Sequence, residues 1–165
     1  ADIRDLRRIV KTRLNLEMAN TAEMVETALL VRPEMVTLVP ERRAELTTEG
    51  GLDVVRHLET LRDSVRRMRE AGIEVSFFVD PDPAQIDASR EAGASFVELH
   101  TGRYCELFEA TEAVQGELDA LRAAALRAGE RGLGLNAGHG LHYGNVRPIL
   151  DLPGLVELNI GHSLV

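Results

Sequence analysis

Arg13-Leu14-Asn15-Leu16-Glu17-Met18 alternates between apolar and polar side chains. Extended as a strand, it puts Asn15 and Glu17 on one face and Leu14, Leu16 and Met18 on the other. The same division recurs along the chain. Val75, Phe77 and Val79 oppose Ser76 and Asp80; Val97 and Leu99 oppose Phe96 and Glu98; Val156, Leu158 and Ile160 oppose Glu157 and Asn159. A doubly wound open sheet, covered by helices on both sides, calls for nearly continuous apolar strands. A polar face repeated on strand after strand fits a closed barrel, with a partly polar interior and helices packed outside. The expected fold is α/β, a (β/α)8 TIM barrel of which about six strand-helix units are present.

Between these strands the pattern turns helical. Strands are expected over 13–18, 35–39, 74–79, 95–99, 133–137 and 156–160. Helices are expected over 2–11, 21–30, 54–71, 84–92 and 106–131, the last in two pieces around Gly116. Strict alternation implies parallel strands joined by helical crossovers. A complete barrel of this kind usually takes ~250 residues. Residues 1–165 are therefore expected to be a single barrel domain, truncated at both ends.

Composition narrows the function. The chain has 165 residues, 44% hydrophobic and 28% charged, enough for one core. No run reaches the ~20 apolar residues of a membrane span, and no secretory pattern opens the sequence, so a cytoplasmic location is expected. Cys105 is the single cysteine, which excludes an internal disulfide framework and a thiolate zinc site. A net charge of -8, no Trp and 4% aromatics argue against nucleic-acid binding. Lys11 is the sole lysine and precedes its strand, the wrong end of a barrel for catalysis. Any imine formed here must draw its amine from a substrate.

Barrel chemistry gathers at the C-terminal ends of the strands. Glu17, Glu98, His100, His139 and His162 fall there, preceded by Asn15, Asn136 and Asn159. Gly138 and Gly140 flank His139, and Gly161 precedes His162. Glycines let backbone N–H groups approach an anion, and the loops after the last two barrel strands are the recurrent phosphate site of the fold. A phosphorylated substrate is expected. Each residue also has a plainer interpretation. Glu17 could pair with a buried arginine, His100 could serve the core or an interface, and His57 and His142 suit surface loops. Cys105 suits a small buried filler, because no feature demands a thiolate. The histidines and carboxylates could bind zinc, but neither HxH nor HExxH spacing occurs.

Six segments, in order and over essentially the whole chain, carry a specific likeness. They are Arg13-Leu-Asn-Leu-Glu-Met-Ala19, Val36-Thr-Leu-Val-Pro-Glu41, Glu45-Leu-Thr-Thr-Glu-Gly-Gly-Leu-Asp-Val54, Val97-Glu-Leu-His-Thr-Gly102, Leu135-Asn-Ala-Gly-His-Gly-Leu141 and Glu157-Leu-Asn-Ile-Gly-His162. Together they resemble the pyridoxine 5'-phosphate synthase family of bacterial vitamin B6 biosynthesis. The resemblance implies a (β/α)8 barrel, usually a homo-octamer, with no metal or organic cofactor. It implies condensation of 1-deoxy-D-xylulose 5-phosphate with 3-amino-2-oxopropyl phosphate, releasing phosphate and water. By motif, Glu17 resembles the catalytic base, His139 the proton donor and Glu98 the group that stabilises the transition state. Thr47 matches a contact to the deoxyxylulose phosphate; Gly140, Gly161 and His162 match the site for the amino-ketone phosphate. The 47–51 loop is a candidate lid that excludes water. Family members begin with two further strands carrying another catalytic histidine and substrate-binding arginines, and end with a helix after the eighth strand. A different phosphate-binding barrel enzyme, an isomerase or aldolase, and an inactive fragment of the synthase are the alternatives.

Overall fold

A computed structural model describes residues 2–41, 45, 47, 50–161 and 163. Six strands form one parallel sheet: β1 (Asn15–Met18), β2 (Met35–Leu38), β3 (Glu74–Val79), β4 (Phe96–His100), β5 (Gly134–Gly138) and β6 (Leu155–Asn159). Their order across the sheet is their order along the chain. A doubly wound sheet reverses direction at a switch point, whereas steady winding places every crossover helix on one side and rolls the sheet. The helices are α1 (Ile3–Ile9), α2 (Ala22–Val31), α3 (Val54–Glu70), α4 (Pro83–Ala92), α5 (Gly102–Glu109) and α6 (Gln115–Glu130), with a 3-10 turn at Arg147–Asp151.

The curl shows in contacts between strands that are not neighbours. Asn136 on β5 brings its amide nitrogen to 4.0 Å from the Met35 sulfur on β2, and in a flat sheet those strands would lie about 14 Å apart. The Arg13 guanidinium, just before β1, stands 5.3 Å over the Phe96 ring of β4. The six strands thus form a curled half-barrel. The inner face carries Asn15, Glu17, Thr37, Ser76, Glu98, Asn136, Glu157 and Asn159, the register that alternation predicts.

The apolar core lies between the outer sheet face and the helices. Val75, Phe77, Val79, Val97, Leu99, Leu135 and Ala137 pack there with Leu61, Val65 and Met68 of α3, Ile86 of α4, and Leu121, Ala124 and Ala128 of α6. Burying side chains of the Leu or Phe class contributes roughly 1.5–3 kcal/mol each. Local signals set the helix starts. Thr21, Asp53 and Asp82 cap α2, α3 and α4 by accepting backbone N–H groups of Met24, Arg56 and Ala84.

Several boundaries differ from expectation. Thr21 is the cap of its helix rather than its first residue, and α2 runs on to Val31 before Arg32 turns left-handed with φ 51°. The expected 106–131 helix is two helices, and they part at residues 110–114 instead of at Gly116. Thr111 adopts φ 55° and the Glu112 N–H bonds back to the Leu107 carbonyl, which closes α5 in a Schellman-like turn. Gly116 lies inside α6. No helix among the described residues is long and apolar enough to cross a membrane.

Candidate active site

Glu98 is the buried carboxyl of the inner face, 3% exposed on a strand paired on both sides. The Asn159 amide donates to its Oε2 at 2.5 Å. Burial pushes its pKa from the ordinary 4.5 up to about 7; the charges of Glu17 and Glu157 act the same way, and the Asn159 hydrogen bond opposes them. The neighbouring Gly138 leaves the space. A Cβ there would stand 2.5 Å from Glu98 Oε1 and 2.7 Å from the Asn159 carbonyl.

Glu17 points into the same hollow but is solvent-exposed. β1 is an edge strand, and among the described residues nothing pairs with its other side. Desolvation acts on Glu98 instead.

His139 lies just past β5 with φ 84°, a left-handed conformation unusual for a residue bearing a Cβ, and Gly140 follows at 78°. Neighbours hold this turn. The Thr101 hydroxyl, which leaves the start of α5 without a side-chain cap, sits 2.8 Å from the Gly138 carbonyl and 2.7 Å from that of His139. Buried Asn145 donates to the Gly140 carbonyl at 3.2 Å and accepts the His142 N–H at 2.8 Å, and the Tyr104 hydroxyl donates to the Asn145 carbonyl at 2.7 Å. The backbone N–H groups of Gly140 and Leu141 donate to no protein group among the described residues, which suits them to an anion. Burial lowers the His139 pKa, as does neighbouring His100; Glu106 and Glu17 pull it back up.

A third cluster lies alongside. His100, at the end of β4, stacks edge-on against His139 at 4.9 Å and Phe78 at 4.8 Å. Its Nδ1 lies 3.2 Å from Asp80 Oδ1. Because a carboxylate only accepts, the imidazole donates from Nδ1. Asp80 also accepts the Gly51 N–H at 3.1 Å and the Thr47 hydroxyl. Alternation had placed Asp80 on the polar face without assigning it a role, and had left His100 open between core and site. The structure puts His100 beside the site.

Glu17, Glu98, His139, Gly140 and Gly161 line one cavity of about 990 Å³, together with Phe78 and Asn159. Thr47 stands behind its wall, joined to it through Gly50, whose N–H donates to the Thr47 hydroxyl at 3.3 Å. His162 lies outside the described residues, as do Thr48 and Glu49 of the candidate lid. His142, expected on a surface loop, also borders the cavity and meets Glu109 at 2.8 Å. Cys105 is buried, and burial raises its thiol pKa, in keeping with a filler. Among the described residues no group of three or more His, Cys, Asp or Glu is placed to hold a metal ion. The hollow offers an exposed carboxylate, a carboxyl balanced near neutrality, an imidazole and backbone donors without a partner among the described residues. That set suits proton transfer on phosphorylated compounds.

Comparison with known proteins gives the same direction. Residues 1–165 match the family model described as "Pyridoxal phosphate biosynthesis protein PdxJ". The pyridoxine 5'-phosphate synthase of a Synechococcus species is 57% identical over 164 residues, which are 99% of this chain and 68% of that protein. The proteins of the same name from Photobacterium profundum and Geotalea daltonii are 55% and 52% identical, covering 99% of this chain and 67% and 68% of theirs.

Proposed function

The chain belongs to the pyridoxal phosphate biosynthesis protein PdxJ family, and on that premise we propose that its cavity closes the pyridine ring of pyridoxine 5'-phosphate. The substrates are 1-deoxy-D-xylulose 5-phosphate and 3-amino-2-oxopropyl phosphate, and phosphate and water leave. One observation carries this: Glu17, Glu98, His139, Gly140 and Gly161, which the motifs single out, line a single hollow from β1, β4 and the turns after β5 and β6.

The chemistry follows from those groups. The amine of one substrate attacks the ketone of the other; loss of water gives an imine, and proton transfer from carbon gives the enamine that closes the ring. Glu17, exposed to the hollow, is the base that removes the carbon-bound proton. His139, held by Thr101 and edge-on to His100, returns a proton to the departing oxygen. Glu98, near its midpoint at neutral pH, is the carboxylate that offsets positive charge on the imine nitrogen in the transition state. The N–H groups at Gly140 and Leu141, with Gly161, take a phosphate, and Thr47 contacts the deoxyxylulose phosphate. His162 belongs to the amino-ketone phosphate site by its motif.

The reaction places the chain among transferases. We read residues 1–165 as a single barrel domain, working in the cytoplasm as a homo-oligomer, an octamer by resemblance, which light scattering tests. Incubating the protein with both substrates and detecting pyridoxine 5'-phosphate tests the activity. Glu17→Gln is expected to abolish turnover and leave phosphate binding intact; near-normal turnover would remove Glu17 from the base role.

A further inference from the structure

Asp80 follows β3, is 4% exposed, and no step above uses its carboxylate. A carboxylate this deeply buried is tolerated when its oxygens are supplied with donors. The donors here come from two separate places. Oδ1 takes both the Gly51 N–H at 3.1 Å and the His100 Nδ1 at 3.2 Å, and Oδ2 takes the Thr47 hydroxyl. The fit leaves no slack: a Cβ on Gly51 would stand 2.5 Å from the Asp80 nitrogen, and one on Gly50 3.1 Å from His100 Cε1.

An oxygen shared by a loop amide and a ring cannot follow one without moving against the other. We propose that Asp80 is a positioning residue that ties Thr47 and Gly51 to the His100–His139 imidazole pair. Substrate contact and proton donation thereby respond as one unit. The kinetic consequence rests on the synthase function; the anchoring itself does not.

Asp80→Asn preserves the volume, but one face of its amide donates where the carboxylate accepted. Three measurements on the full chain decide the proposal. In Asp80→Asn, hydrogen exchange at the Gly51 amide is expected to accelerate about tenfold or more, while core amides at Phe77 and Leu99 hold their protection. Nitrogen NMR shifts are expected to show His100 protonated on Nδ1 in the wild type and to lose that preference in the variant. In kcat/KM, the losses from Thr47→Val and His100→Gln are expected to combine to less than their product by about fivefold, and to multiply simply in the Asp80→Asn background. Thr47→Val alone, which keeps the carboxylate, gives a smaller rise in Gly51 exchange and serves if Asp80→Asn fails to fold. Unchanged Gly51 exchange in both variants, or losses that multiply in both backgrounds, would overturn the proposal. A wild type that makes no pyridoxine 5'-phosphate would refute the synthase function, and the exchange and nitrogen-shift results would still decide the anchor.

Discussion

Replacing Glu98 with Gln tests whether the inner face holds a carboxyl against its preferred ionisation. The rise from 4.5 to about 7 corresponds, at ~1.4 kcal/mol per pKa unit, to about 3 kcal/mol between the two protonation states. The sign follows from the direction. Folding favours the protonated form, so its contribution is fully present below the unfolded value and is lost as pH climbs through 7. Wild-type stability should therefore decline between pH 5 and 8.5 by about 2.5 kcal/mol more than that of Glu98→Gln, whose amide is neutral throughout. Urea unfolding of both proteins across that range measures the difference directly. The variant should be more stable at pH 8.5, nearly equal to the wild type at pH 5, and inactive throughout. Parallel stability curves, or a wild type more stable than the variant at pH 8.5, would refute the assignment of burial as the cause.

Two further outcomes follow from the turn after β5. His100→Gln should raise the His139 pKa, because it removes the neighbouring ring that disfavours the imidazolium while Glu106 and Glu17 remain; NMR titration should place the change at higher pH, and a constant or lower value would contradict the geometry. Asn145→Ala should cost about 3 kcal/mol, since it strips partners from the Gly140 carbonyl and the His142 N–H, and should raise KM for a phosphorylated substrate more than it lowers kcat.

Alternation made the fold legible because each strand separates two environments, a polar lumen and a helix layer, and the sequence records both. The places of Glu98 and His139 around the hollow were legible because one is a carboxyl on a lumen-facing strand position and the other a histidine between glycines just past a strand. Other features had no such record. The break between α5 and α6 is made by Thr111 in a conformation that usually announces itself with glycine, so the sequence pointed to Gly116 instead. Glu17 and Glu98 look equivalent in sequence, yet one lies on an edge strand and the other between paired strands, and only the second is desolvated. Asp80 and His100 are 20 positions apart and meet because β3 and β4 are adjacent. A contact across neighbouring strands has no periodicity to reveal it.

The unbroken succession of β1 to β6 across the sheet has a consequence for how the molecule is made. Within β1 to β6 each new strand finds its partner in the one synthesised just before it, so loop-closure costs between them stay small. The sheet can be laid down one repeat at a time as the ribosome delivers it, and the curvature that shapes the hollow accumulates during translation.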